Sequence, residues 1–141
     1  MINNIYALKD ILTIYEDKGL LDNIILVGSW AEYFYEDYFD NYKSLMKTQD
    51  FDFFIHDDKS INKKINLVEE FDTIGFYPQI DYITSLKRTG ESPIELKKLN
   101  INAESLPYFD ITYAYNMKVD FNGISLTIPT PQAYVIQKNT N

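Results

Sequence analysis

The chain of 141 residues contains no cysteine and a single histidine, His56. A disulfide framework and a zinc–thiolate site are therefore excluded, because both need cysteine sulfur. No apolar run approaches the length of about 18 residues that a membrane-spanning helix requires. The opening segment MINNIYALKD lacks the basic and apolar regions of a signal peptide. We therefore expect a cytoplasmic protein, in which His56 is an ordinary loop residue.

Positive charge is also scarce, since 13 Lys and Arg residues stand against 21 Asp and Glu residues, for a net charge of −8. This balance disfavours nonspecific binding to nucleic acid and binding to an anionic membrane, because both need a basic surface. A nucleotide site stays open, because Mg²⁺ can bridge protein carboxylates and phosphate groups.

Aromatic residues are plentiful, with 12 Tyr, 9 Phe and 1 Trp in a chain that is 45% hydrophobic. This content is enough for one core, since domains of this size bury about two-thirds of the surface of the unfolded chain. No repeat or linker divides the sequence, so residues 1–141 are predicted to form one domain. The frequent Ile, Asn, Lys and Tyr residues are typical of proteins from AT-rich bacterial genomes.

Hydrophobic periodicity and turn signals predict an alternation of helices and strands. The predicted helices are 4–17, 30–39, 58–74, a short helix around Pro107 and a last helix from Pro131. The predicted strands are 24–27, 50–55, 76–86, 93–99, 117–121 and 124–128. Asn122-Gly123 predicts a tight hairpin, and Thr130-Pro131 is a helix start with an N-cap followed by proline. The expected fold class is α+β, with a mixed sheet and helices mainly on one face.

A first candidate site is the Gly28-Ser29 junction between a predicted strand and a predicted helix. Glycine lets a phosphate group approach the main chain, serine adds a hydroxyl donor, and the start of a helix carries positive potential. Many strand–helix junctions carry a small residue for packing alone, so the junction needs support from other residues.

That support comes from Asp50 and Asp52, which alternate with Phe51 and Phe53 and therefore share one face of a strand. Two neighbouring carboxylates repel each other unless a cation lies between them, and Mg²⁺ takes carboxylate and phosphate oxygens as ligands. The alternative is an edge strand with one solvated face. Glu95, between two apolar residues on a later predicted strand, is a candidate third ligand, although it could also face solvent.

Together these segments resemble the nucleotidyltransferase superfamily, which has the polymerase-β-like fold. The resemblance is carried by ILVGSWAEYFYEDYF and TQDFDFFI, which contain an apolar strand, Gly-Ser, a helix and then Asp-x-Asp on the next strand. In detail the chain is similar to bacterial stand-alone nucleotidyltransferase-like proteins, in which a threonine, here Thr48, shortly precedes the first aspartate. The segments IELKKLNINAESLPYF and IPTPQAYVIQK follow in the same order as in those proteins.

The resemblance implies roles for individual residues. Gly28 and Ser29 would hold the nucleotide triphosphate, and Lys138 would contact phosphate. The remaining implied site residues are the metal ligands and catalytic carboxylates Asp50, Asp52 and Glu95.

Two features depart from the family pattern. The third carboxylate is Glu rather than the commoner Asp, and Glu91 is the alternative for it. Relatives generally continue with further helices beyond the point that matches Asn141, so the chain is expected to be shortened at its C-terminus.

The implied activity is Mg²⁺-dependent transfer of a nucleoside monophosphate from a nucleoside triphosphate to an acceptor hydroxyl on a small molecule, a protein or an RNA. Two Mg²⁺ ions are expected, with Mn²⁺ as an alternative. A second hypothesis is a degenerate, non-catalytic module that binds a nucleotide or a protein partner such as an antitoxin, within a toxin–antitoxin or phage-defence system. A third is a globular α+β domain whose aspartates are merely solvated.

Overall fold

A computed structural model of the chain describes residues 4–38, 50–56, 58–74, 80–87 and 93–140. The helices are α1 (Asn4–Asp17), α2 (Ser29–Tyr38), α3 (Leu67–Asp72), α4 (Asp110–Ala114) and α5 (Pro131–Thr140). The strands are β1 (Ile24–Val27), β2 (Phe51–Ile55), β3 (Ile80–Thr84), β4 (Ile94–Leu96), β5 (Ile101–Ser105), β6 (Asn116–Phe121) and β7 (Ile124–Pro129). Among these helices, none combines the length and the apolar composition needed to cross a membrane.

Five strands form a mixed sheet in the order β1-β2-β3-β5-β4. The β1–β2 and β4–β5 pairs are antiparallel, whereas the β2–β3 and β3–β5 pairs are parallel. Strand β2 therefore lies inside the sheet and is not an edge strand. A separate two-stranded sheet is formed by β6 and β7. The fold is thus α+β with a mixed sheet, as the sequence predicts.

The two faces of the sheet are covered differently. One face carries Leu26, Phe53 and Tyr82 at matching register positions, and it packs against buried residues of α1, α2, α3, α5 and the β6–β7 hairpin. The opposite face carries a smaller cluster, which consists of Ile25, Val27, Phe54, Ile83 and Phe109. Asp52 belongs to this second face, because it pairs with Val27 and lies two residues from Phe54. Sparse cover on that face leaves room for a cleft.

Several predicted elements are confirmed to within a residue or two. Helix α1 and strand β1 have the predicted bounds. At the tip of the hairpin, Asn122 and Gly123 both have positive φ, 50° and 88°, as a two-residue hairpin turn demands. Helix α5 begins at Pro131, and the Thr130 hydroxyl accepts a hydrogen bond from the backbone N–H of Ala133 at 3.2 Å.

The helix predicted over 58–74 is wrong for most of its length, since only α3 and a short 3-10 turn are helical there. The segment before α3 is held by main-chain bonds instead, because Ile65 N–H donates to the Lys98 carbonyl at 2.7 Å. Asn66 then caps α3 by accepting from Glu69 N–H at 3.1 Å.

The strands predicted over 76–86 and 93–99 correspond to β3 and β4. In the described part of the first, the strand ends at Thr84, and the second shortens to Ile94–Leu96. The two strands are not neighbours, because β5 lies between them. Strand β5 was not predicted. The short helix predicted around Pro107 is confirmed, as a 3-10 turn over Pro107–Phe109 that continues into α4. Residues 75–79 and 88–92, which include the start of the first of these predicted strands and the link between the two, lie outside the described residues.

Tyr15 and Tyr82 share a buried hydrogen bond between their hydroxyl oxygens, 2.8 Å apart. Replacing Tyr82 with Phe is expected to cost about 1–3 kcal/mol of unfolding free energy, because the Tyr15 hydroxyl is left buried without its partner. The double variant Tyr15→Phe/Tyr82→Phe removes both polar atoms and should recover most of that loss. Urea unfolding of the four proteins measures the coupling; a double variant less stable than either single variant would contradict it.

Candidate nucleotide-binding site

A cleft of about 670 Å³ opens on the sparsely covered face of the sheet. This volume lies in the range of sites that enclose small organic ligands. The cleft is lined by residues from the β1–α2 junction, from strands β2, β3 and β5, from the turn before α4 and from α5, including Gly28, Ser29, Asp52, Asp81, Asn102, Glu104, Tyr108, Phe109, Tyr134, Gln137 and Lys138. The Gly28-Ser29 junction and Asp52, the second aspartate of the Asp-x-Asp pair, therefore line the same cleft.

Gly28 determines how closely the two motifs approach each other. Its φ is +69°, a conformation that side-chain-bearing residues rarely adopt, and a Cβ atom placed on it would overlap the Asp52 carboxylate. The Gly28 carbonyl accepts a hydrogen bond from Ala31 N–H at 3.0 Å, which starts α2 directly after the turn. A glycine at this position thus lets the Asp52 carboxylate lie against the main chain at the start of the helix.

Asp52 lies in an environment that opposes its negative charge. Burial is the largest cause, and it acts with the nearby Asp81 and Asp50 carboxylates, a hydrogen bond with Asp81 and the charge of Glu104 to raise the pKa of Asp52 from 3.8 to about 6. Desolvation and like charges both favour the protonated acid. The cluster is therefore poised to gain from a cation, which would remove the mutual repulsion.

Asp81 is the nearest sheet neighbour of Asp52. The two residues are register partners on the parallel strands β2 and β3, so their Cα atoms lie about 4.8 Å apart and their side chains share a face. Glu104 lies on the next strand, β5, as the partner of Ile83 on the same face. Three adjacent strands thus each contribute one carboxylate to the cleft.

Glu95 does not reach this group. It lies on β4 at the edge of the sheet, three strand spacings or about 14 Å from the strand of Asp52. Its carboxylate is 4.0 Å from Lys97 Nζ, and 62% of its side chain is exposed. Two metal ions about 4 Å apart cannot join carboxylates at that separation. The alternative Glu91, and Thr48 of the family pattern, lie outside the described residues.

Helix α5 forms the opposite wall of the cleft and is tied to α2. The Tyr134 hydroxyl donates to Glu32 Oε2 at 2.5 Å, and the Tyr35 hydroxyl donates to the carbonyl of Pro129, just before α5, at 2.7 Å. Lys138 is exposed in the same cleft, with Nζ 5.8 Å from the centroid of the Tyr134 ring. The structure therefore brings Lys138 to the cleft that Gly28 and Ser29 line.

The carboxylates in the cleft are better suited to bind Mg²⁺ together with a substrate than to hold a metal ion with protein ligands alone. Within the described ranges, no three Asp, Glu or His side chains lie close enough together to hold a metal ion. Mg²⁺ usually takes only one or two protein carboxylates, and completes its shell with water and substrate phosphates. Asp52 and Asp81, which are hard oxygen donors on neighbouring strands, fit that requirement.

Part of this site was not predicted. Asp81 alternates with Ile80 and Tyr82 in a predicted strand, which is the pattern that singled out Glu95, so the signal for it was present. Glu104 carried no such signal, because no strand was predicted for its segment. Outside the cleft, His56 follows β2, and its ring lies 4.6 Å from that of Tyr113.

Comparison of the chain with protein-family models, with curated proteins and with solved structures found no match. The assignment of a function therefore depends on the residues of the cleft and on their chemistry.

Proposed function

We propose that the protein is a Mg²⁺-dependent nucleotidyltransferase, which transfers a nucleoside monophosphate from a nucleoside triphosphate to an acceptor hydroxyl and releases pyrophosphate. One observation carries the proposal: the Gly28-Ser29 junction and the neighbouring carboxylates Asp52 and Asp81 line the same cleft. An anion-binding helix start beside a cation-binding carboxylate pair is the combination that a Mg²⁺–triphosphate ligand requires.

In this proposal, the triphosphate binds at the junction. The backbone N–H groups at the start of α2 and the Ser29 hydroxyl donate to phosphate oxygens, and the helix dipole favours the negative charge. Lys138 contributes a positive charge from the opposite wall. Gly28 serves by having no side chain, since any Cβ atom would displace the Asp52 carboxylate.

Asp52 and Asp81 would hold Mg²⁺, with Asp50 adding negative charge nearby. Bound Mg²⁺ supplies charge neutralisation at the phosphates and orients them for substitution. Glu104 lines the same cleft and is suited to accept the proton of the acceptor hydroxyl. The role that the family resemblance gives to Glu95 thus passes to Asp81, the register partner of Asp52, and to Glu104, which lies one strand further along and lines the same cleft.

The proposal predicts metal-dependent binding that distinguishes two carboxylates. Calorimetric titration with ATP, GTP, CTP and UTP should show binding that needs Mg²⁺, and Asp81→Asn should weaken it at least about tenfold, because one metal ligand is lost. Glu95→Gln is the matched control and should leave the affinity unchanged. Trp30 provides a second readout, since it is the only tryptophan, follows Ser29 and stacks on Phe51 at 5.1 Å.

Two outcomes would contradict the proposal. Absence of binding by every Mg²⁺–nucleoside triphosphate would favour a module for a protein partner, and loss of binding in Glu95→Gln with retention in Asp81→Asn would reverse the assignment. If binding is found, pyrophosphate release in the presence of candidate acceptors separates a transferase from a nucleotide-binding module.

A further inference from the structure

Gln137 on α5 is almost completely enclosed, yet it faces the cleft. Only 6% of its surface is exposed, and it belongs to the lining of the cleft. The described residues give its side-chain amide no hydrogen bond, and the amide is not among the fully buried polar atoms that lack a partner, so it opens toward the cleft. A few polar groups placed in an otherwise apolar cleft are what fix the orientation of a bound ligand, and a side chain that opens only toward the cleft is placed for that purpose. The cleft is the place from which a partner for this amide can come.

The chemistry of the amide restricts what that partner is. Its NH₂ group donates and its carbonyl oxygen accepts, and the two lie side by side in one plane. A phosphate group offers acceptors only, so it would leave the carbonyl oxygen unpaired. The edge of a nucleic-acid base carries a donor beside an acceptor, and glutamine pairs with such an edge through both of its polar atoms.

The surroundings of Gln137 also suit a base. Tyr108 and Phe109 line the same cleft, and α5 packs against the turn that carries them. Aromatic side chains offer flat apolar surfaces on which bases stack. Lys138 is the next residue, and its side chain leaves the helix about 100° around the axis from that of Gln137. The two side chains therefore contact different parts of a ligand.

We propose that Gln137 reads the base of the bound nucleotide and thereby determines which nucleoside triphosphate the cleft prefers. The proposal rests on the proposed function, since it assigns the base of the nucleotide whose triphosphate lies at Gly28 and Ser29. Gln137 is a specificity-determining residue in this proposal and takes no part in the transfer step.

The test compares base preference with phosphate affinity. Dissociation constants are measured with Mg²⁺ for the four nucleoside triphosphates and for inorganic tripolyphosphate, on the wild type and on Gln137→Leu. The wild type is expected to prefer one base by about tenfold or more, as a paired base edge gives. Gln137→Leu should lose this preference and keep its tripolyphosphate affinity within about twofold.

Two further variants make the result specific. Gln137→Met keeps the length of the side chain and should also lose the preference, which guards against a packing defect in the leucine variant. Gln132→Leu places the same substitution at an exposed position of α5 and should keep the preference. Thermal unfolding verifies that each variant is folded.

Other outcomes overturn the inference. If the Gln137 variants bind all four nucleotides equally more weakly and bind tripolyphosphate unchanged, the amide contacts the ribose. If their affinity for tripolyphosphate falls as well, the amide contacts the phosphates. An unchanged preference in both Gln137 variants, or no preference in the wild type, would remove its role. Failure of the wild type to bind both nucleotides and tripolyphosphate would instead reject the proposed function itself.

Discussion

Asp52→Asn is expected to abolish Mg²⁺-dependent nucleotide binding and at the same time to stabilise the protein at pH 8. Binding is lost because the amide is a poor ligand for a hard cation. Stability is gained because the pKa of Asp52 is raised to about 6, chiefly by burial and by Asp81, so the folded protein penalises its ionised form. A rise from 3.8 to about 6 corresponds to about 3 kcal/mol, but Asp52 is partly exposed and solvent screens part of this penalty, so we expect a gain of about 1–2 kcal/mol.

The sign of the pH dependence follows from the same rise. Between about pH 4 and pH 6 the folded state binds more protons at Asp52 than the unfolded state does, so this residue makes the wild type less stable as the pH increases. Above pH 6 the penalty is complete, and below pH 4 it vanishes. The unfolding free energies of wild type and Asp52→Asn should therefore converge at pH 4 and differ most at pH 8.

Urea unfolding at several pH values measures this difference. Glu95→Gln is the control, because the Glu95 carboxylate is largely exposed at the sheet edge. The unfolding free energy of this variant should equal that of the wild type at every pH. Added Mg²⁺ should stabilise the wild type at pH 8 more than Asp52→Asn, because a ligand that binds only the folded state shifts the equilibrium toward it. A less stable Asp52→Asn at pH 8 would show that the carboxylate is held by favourable contacts instead.

Gly28→Ala is expected to eliminate nucleotide binding through the position of Asp52. Alanine at φ +69° costs about 1–2 kcal/mol in a left-handed conformation. Its Cβ would also overlap the Asp52 carboxylate, which must rotate away from the junction. The binding loss should therefore be much larger than the stability loss, with an affinity at least about 100-fold weaker if the carboxylate is a metal ligand.

Gly19→Ala is the matched control for this prediction. Gly19 has nearly the same φ, +70°, but a Cβ atom there would meet no atom within 4 Å. Gly19→Ala should show the conformational penalty in unfolding free energy and retain full nucleotide affinity. Similar affinities in the two variants would mean that the approach of Gly28 to Asp52 does not matter for binding.

Local signals predicted those parts of the fold whose causes lie within a few residues. Asn122-Gly123 defined a hairpin because both residues accept positive φ, and Thr130-Pro131 defined the start of α5 because both the cap and the proline are local devices. The helix predicted over 58–74 failed because the segment before α3 pairs with a distant part of the chain, where the Lys98 carbonyl accepts a hydrogen bond from Ile65 N–H. Such a long-range pairing cannot be predicted from the hydrophobic periodicity of the segment itself.

The candidate site divides in the same way. Gly28, Ser29 and Asp52 were found from the sequence, because short motifs on consecutive elements bring them together. Asp81 was not found from the sequence. Which carboxylate lies beside Asp52 depends on the strand order, in which β5 separates β3 from β4. This order places Asp81 beside Asp52 and sends Glu95 to the edge of the sheet.

The hydrogen bond from Tyr134 to Glu32 joins residues 102 positions apart in the sequence. One wall of the cleft therefore comes from the β1–α2 region and the opposite wall from α5, so the cleft forms only when these distant parts of the chain pack together. Removal of α5 would take Gln137 and Lys138 out of the cleft and leave the Gly-Ser junction without its opposite wall.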